Sequence, residues 1–163
     1  MALFGVLGCE CWDTGTTSPA GSSYIAVQPT PGQRGLDNVL YLSEMPAQQH
    51  RLEVALRGAI GADAELAAAG EAYRALAGEK PYGMSHIALR YPDFASLEAV
   101  LDGIEGRLTP EMQARSILRI FRPGDSGEIT WNSVQVFLHT DIAASGLSVV
   151  GQVFELSAYG EWG

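Results

Sequence analysis

Positive charge is scarce in this chain. Lys and Arg together number 10 against 19 Asp and Glu, giving a net charge of −9. Such a surface repels phosphate-rich partners, so neither nucleic acid nor an anionic membrane is expected to bind. Long apolar runs are missing too, and none approaches the roughly 20 residues that a membrane-spanning helix needs. Met1–Gly8 is apolar but short. No basic segment precedes it, so it is not read as a secretory signal. Cysteine is limited to Cys9 and Cys11, one residue apart. That spacing suits an intrachain disulfide poorly and supplies only part of a zinc ligand set. Two free thiols are expected, with pairing to another copy of the chain as the alternative. Catalytic signatures are absent as well. There is no Gly-x-Ser-x-Gly, no phosphate loop and no dinucleotide fingerprint.

What remains is enough for one globular domain. The chain has 163 residues, 47% of them hydrophobic, which suffices for a real core. Residues 1–35 differ from the rest. Asp13–Ser23 is dominated by Thr, Ser, Gly and Pro, and Pro29-Thr30-Pro31-Gly32 follows. This composition predicts an extended N-terminal arm, held by its own domain or by neighbouring subunits. Residues 36–163 read as a single α+β domain.

Within that domain Leu36–Ser43 reads as a strand ended by Pro46. Residues 48–60 fit either a helix, through Leu52, Leu56 and Ile60 with Ala55 and Ala59, or a strand, through alternating Leu52, Val54 and Leu56. Asp63 is the expected cap of a helix over 63–77 with Leu66, Ala69, Tyr73 and Leu76 on one face and Gly78 at its end. Val54-Ala55-Leu56-Arg57 resembles Ile87-Ala88-Leu89-Arg90, 33 residues later. If that is a repeat, residues 52–57 are a strand.

The stretch from Tyr82 to Tyr159 is the best defined. It predicts a strand over 85–91, a helix over 94–108 capped by Asp93, and strands over 117–121, 129–140 and 147–158. The helix buries Leu97, Leu101, Ile104 and Leu108. Thr109-Pro110-Glu111 can cap one further turn. The turn-rich segment 122–127 joins the first two of the late strands, and 143–146 makes the next turn. Trp131, Phe137, Phe154 and Tyr159 supply aromatic mass. The expected fold is a mainly antiparallel sheet with two helices packed on one face and the arm beside it.

His86, His139 and Glu155 fall in or beside these strands. Two histidines and a carboxylate suit a divalent transition metal, although a strand histidine is more often an ordinary core or surface residue. Arg115, Arg119 and Arg122 form a local basic spot, either plain surface charge or a contact for an acidic face of another subunit. The carboxylates Asp102 and Glu105 read as a solvated helix face.

Gly83-Met84-Ser85-His86-Ile87-Ala88-Leu89-Arg90, followed by Pro92-Asp93 and a helix, resembles the opening of a vicinal oxygen chelate (glyoxalase-like) module. That resemblance implies a strand–helix–three-strand unit with His86 and Glu155 as metal ligands. Leu52–Leu76 and His86–Leu108 are each similar to the strand-then-helix piece of tailed-phage tail-terminator and neck proteins. That resemblance implies a small ring-forming α+β subunit with no catalytic residues and no cofactor.

The leading expectation is a non-enzymatic structural subunit of a symmetric assembly, specifically a tailed-phage virion protein of the tail, neck or capsid-associated kind. Its partners would be copies of itself and other structural subunits. It would be made in the host cytoplasm and end in the virion. Contacts are expected through Phe4, Trp12, Arg115, Arg119, Arg122 and Trp162. The alternative is a cytoplasmic metal-dependent glyoxalase-like enzyme in which His86, His139 and Glu155 hold a divalent metal ion, or a small-molecule binding protein on the same scaffold without metal.

Overall fold

The structure is a computed structural model that describes residues 2–17, 21, 23–29, 31–32, 39–125, 132–143 and 150–160. The described chain runs through α1 (Ala2–Val6), β1 (Glu10–Thr17), β2 (Ser23–Gln28), β3 (Leu40–Ser43), α2 (Ala47–Ala62) and α3 (Ala64–Glu79). A 3-10 turn at Pro81–Gly83 leads into β4 (His86–Arg90), α4 (Phe94–Arg107), α5 (Pro110–Ala114), β5 (Ser116–Phe121), β6 (Ser133–Thr140) and β7 (Gln152–Tyr159). Strands β1, β2 and β3 form an antiparallel sheet in that order. The larger sheet runs β4-β7-β6-β5 and is mixed, because β4 lies parallel to β7 while the other pairs are antiparallel. The α+β class expected from the sequence holds.

Side-chain caps open α3, α4 and α5. Asp93 accepts a hydrogen bond from the Ser96 amide at 2.7 Å and opens α4. That amide also holds the Asp93 carboxyl below the usual carboxylate range. Asp63 accepts from the Leu66 amide at 2.9 Å and opens α3. Thr109 accepts from Met112 and opens α5. Each cap satisfies an amide that the first helical turn leaves without a partner.

Strand alternation gives the larger sheet two distinct faces. One carries Leu89, Val134, Val136, Leu138, Phe154 and Leu156, packed against Leu97, Leu101 and Ile104 of α4. Each of those three helix residues contributes about 1.5–3 kcal/mol by leaving water. The opposite face carries Phe121, Phe137 and Val153, packed against Ala77 of α3 and Met84. The two helices therefore lie on opposite faces, not on one as expected. α4 has a full apolar stripe to bury, whereas the only buried residue of α3 is Ala77.

The N-terminal segment also departs from an extended arm. Leu3, Phe4, Val6 and Leu7 are buried with the α4 side of the core. Tyr91 donates a hydrogen bond from its hydroxyl to the Leu7 carbonyl. Gly8, at φ +74°, makes the turn into β1 where a Cβ would lie 2.6 Å from Val100 Cγ2. A side chain there would meet both backbone strain and α4. Cys9 is buried and Cys11 half-buried, and both are free thiols. Burial pushes the Cys9 thiol up to about 12.

Residues 48–60 are helical, within α2. The similarity of 54–57 to 87–90 is therefore not a structural repeat, since the first block is helix and the second is β4. The expected strand residues 36–38, 129–131 and 147–149, with the turn residues 126–127 and 144–146, lie outside the described residues. So do Trp131 and Trp162.

Candidate functional site

Two surfaces carry chemistry that the core does not need. The first is the polar part of the sheet face opposite α4. Register places Ser133, Gln135, Phe137 and His139 of β6 on this face, beside Val153, Glu155 and Ser157 of β7 and His86 and Arg90 of β4. His86 Nε2 lies 3.0 Å from Glu155 Oε2. His86 Nδ1 lies 2.9 Å from the Met84 carbonyl. Gln135 Nε2 donates to Glu155 Oε1 at 3.2 Å, while the buried Gln135 Oε1 has no partner.

A carbonyl oxygen only accepts, so the hydrogen-bond pattern assigns a proton to His86 Nδ1. That leaves Nε2 facing a carboxylate. Phe137 stands edge-on to His86, with centroids 5.8 Å apart at 87°. Phe121 packs on Phe137 at 6.0 Å and Tyr82 on Phe121 at 6.4 Å. Arg90 lies 4.5 Å over the Tyr159 ring. The result is a polar pair held at the end of an aromatic row.

His139 is on the same face but not in the pair. It registers with Val153, which registers with His86. With strands about 4.8 Å apart, the two histidines stand roughly 10 Å apart along the sheet. The trio His86, His139 and Glu155 is thus split into a pair and a separate residue. Among the described residues no group of three or more His, Cys, Asp or Glu could hold a metal ion.

His139 is buried, and neither ring nitrogen has a hydrogen-bond partner among the described residues. Gly151, at φ +125°, backs it so closely that a Cβ would lie 2.6 Å from Cε1 and Nε2. Burial, then the charge of Arg74, lowers its pKa from 6.5, against a smaller opposing pull from Asp141. The unfolded chain therefore takes up a proton more readily than the folded one. Stability is retained above about pH 6.5 and falls as the pH drops below it, towards the folded pKa. His139→Leu is expected to remove this acid dependence. It should also raise neutral-pH stability by on the order of 1 kcal/mol, since two unpaired buried nitrogens disappear. Urea unfolding at about pH 5 and about pH 7.5 measures both effects, and an unchanged slope would contradict the assignment.

The second surface is the pair α2 and α3. Glu53 is the only buried residue of α2, and Ala77 the only one of α3. Leu52 is 60% exposed and Leu66 48%. Leu56, Val54 and Tyr73 are exposed as well. Two 16-residue helices that bury so little within one chain leave apolar surface without a partner.

No protein-family model, curated protein or solved structure matches this chain.

The residues expected to make assembly contacts fall into different settings. Phe4 is in the core, edge-on to Phe154 at 5.6 Å, because α1 packs down instead of extending. Trp12 is half-buried in β1. Arg115 pairs with Asp141 at 2.7 Å and Glu111 at 2.9 Å. Arg122 makes a two-pronged pair with Glu98 at 2.8 and 2.7 Å. Arg119 is exposed, 5.9 Å from the Phe121 ring. The basic spot is largely answered within the chain. Two features carry little weight in the sequence. Gln135 joins the site only through register, and the exposed leucines look in sequence like an ordinary buried stripe. No described helix is long and apolar enough to cross a membrane.

Proposed function

We propose that this chain is a non-enzymatic structural subunit of a symmetric assembly, of the kind that builds a tailed-phage virion. The observation that carries this reading is the α2–α3 pair, whose leucines stay in water although both helices are well formed. Each leucine buried against a neighbour would contribute about 1.5–3 kcal/mol of gross burial energy. The chain's own work is then mechanical: it presents two helices for neighbouring copies to cover.

A second reading rests on His86 and Glu155. Two ligands about 2.1 Å from one ion and at right angles lie roughly 3.0 Å apart. The observed separation of 3.0 Å fits that bite. The Met84 carbonyl orients the imidazole in the way that outer partners of metal-bound histidines do. A divalent ion held there would polarise a substrate oxygen, as in the glyoxalase-like alternative. The pair alone leaves most ligand positions to water or to another chain.

Native mass over a range of concentrations, with metal content read on the same sample, separates the two. A multimer of defined size without stoichiometric metal is expected. A chain that stays monomeric and carries a stoichiometric divalent ion overturns the structural reading in favour of the second.

A further inference from the structure

We propose that the assembly contact is heterologous: α2 of one copy packs on α3 of the next. The inference rests on the structural reading above and names its interface. On α2, Leu52, Ala55, Leu56 and Ala59 are all exposed. Their offsets of 0, 3, 4 and 7 place them in one stripe. On α3, Leu66, Ala69 and Tyr73 are exposed at offsets of 0, 3 and 7. The alanines let two helix axes approach to the short end of the usual range of about 8–10 Å. Within the chain α2 and α3 meet elsewhere, where a Cβ on Gly70 would lie 3.9 Å from Ile60 Cγ2. The intrachain contact therefore leaves both stripes open.

Charge selects the partner. α2 carries Arg51 and Arg57 against a single acid, the buried Glu53, which pairs with Arg57. α3 carries Glu65, Glu71 and Glu79 against Arg74. Arg51 directly precedes the leucine that opens the α2 stripe, and Glu65 directly precedes the one that opens the α3 stripe. Pairing α2 with a second α2 brings arginines together. Pairing α3 with a second α3 brings glutamates together. With the two stripes aligned, α2 on α3 sets Arg51 beside Glu65, the charged residue that flanks each stripe. Such a contact uses different surfaces on the two copies, so it propagates from one copy to the next and closes into a ring when the rotation allows.

Charge reversal in the full-length chain tests this. Arg51→Glu alone and Glu65→Arg alone are each expected to weaken self-association roughly tenfold or more. An equimolar mixture of the two variants, and the chain carrying both, should regain it. Leu52→Asp should weaken it on the order of thirtyfold with no rescue by either charge change. All three positions are exposed, so far-ultraviolet dichroism should stay at the parent value and show that each variant still folds. Weakening by Arg51→Glu without weakening by Glu65→Arg would mean that Arg51 meets a surface other than the α3 stripe and overturn the proposal. A multimer that ignores both reversals also overturns it, while leaving the structural role intact. A parent chain that never associates removes the structural role itself, and the interface with it.

Discussion

Replacing Phe4 by Ala is expected to cost about 3–5 kcal/mol of folding stability. The ring is 4% exposed and stands edge-on to Phe154, 5.6 Å away. Leu3, Val6 and Leu7 share the same buried cluster. α1 has only five residues, too few to be stable alone, so packing must hold it in place. The loss is large against the roughly 5–15 kcal/mol that keeps a domain folded. Urea unfolding of the variant beside the parent measures it. A detachable arm would give a change within about 0.5 kcal/mol, the usual size for a surface substitution. That small value would return the N-terminal segment to the role its composition first suggests, a strap for a neighbouring subunit.

The contrast between α1 and α4 explains what could be read from the sequence. α4 is marked by short-range chemistry: Asp93 caps it, and Leu97, Leu101 and Ile104 keep to one face. The caps at Asp63 and Thr109 work in the same local way. α1 contains Gly5 and is followed by Gly8, both poor helix formers, so tertiary contact is what holds it helical. α2 is ambiguous for a different reason. Leu52, Val54 and Leu56 alternate as a strand would, while Leu52 and Leu56 also share a helix face. The usual arbiter, burial, is missing because that stripe stays in water. Val54–Arg57 and Ile87–Arg90 make the same point: nearly the same four residues are helix in one place and strand in the other. At the polar site, His86 and Glu155 were legible as candidates from their places on the first and last strands. Their meeting depends on β7 lying next to β4. Gln135 and the separation of His139 depend on register across β6 and β7, and register is set by long-range pairing.

Phe137→Ala is expected to be as costly, about 3–5 kcal/mol, through a different cluster. Phe137 is 1% exposed and belongs to the smaller core with Ala77, Met84, Phe121 and Val153. It is the ring that joins Phe121 to His86 in the aromatic row. Its removal opens a cavity between the sheet and α3. Neighbours can fill that cavity only by giving up their own contacts. Thermal unfolding against the parent measures the cost, and it should persist at protein concentrations where no multimer forms. That condition separates two origins of α3's position. If the small core fixes α3 on the sheet, the penalty belongs to the folding of one chain and does not depend on concentration. If the penalty is below about 1 kcal/mol for isolated chains and grows as they associate, α3 owes its position to the neighbour that covers Leu66 and Tyr73. Assembly and folding of the helical pair would then be a single event.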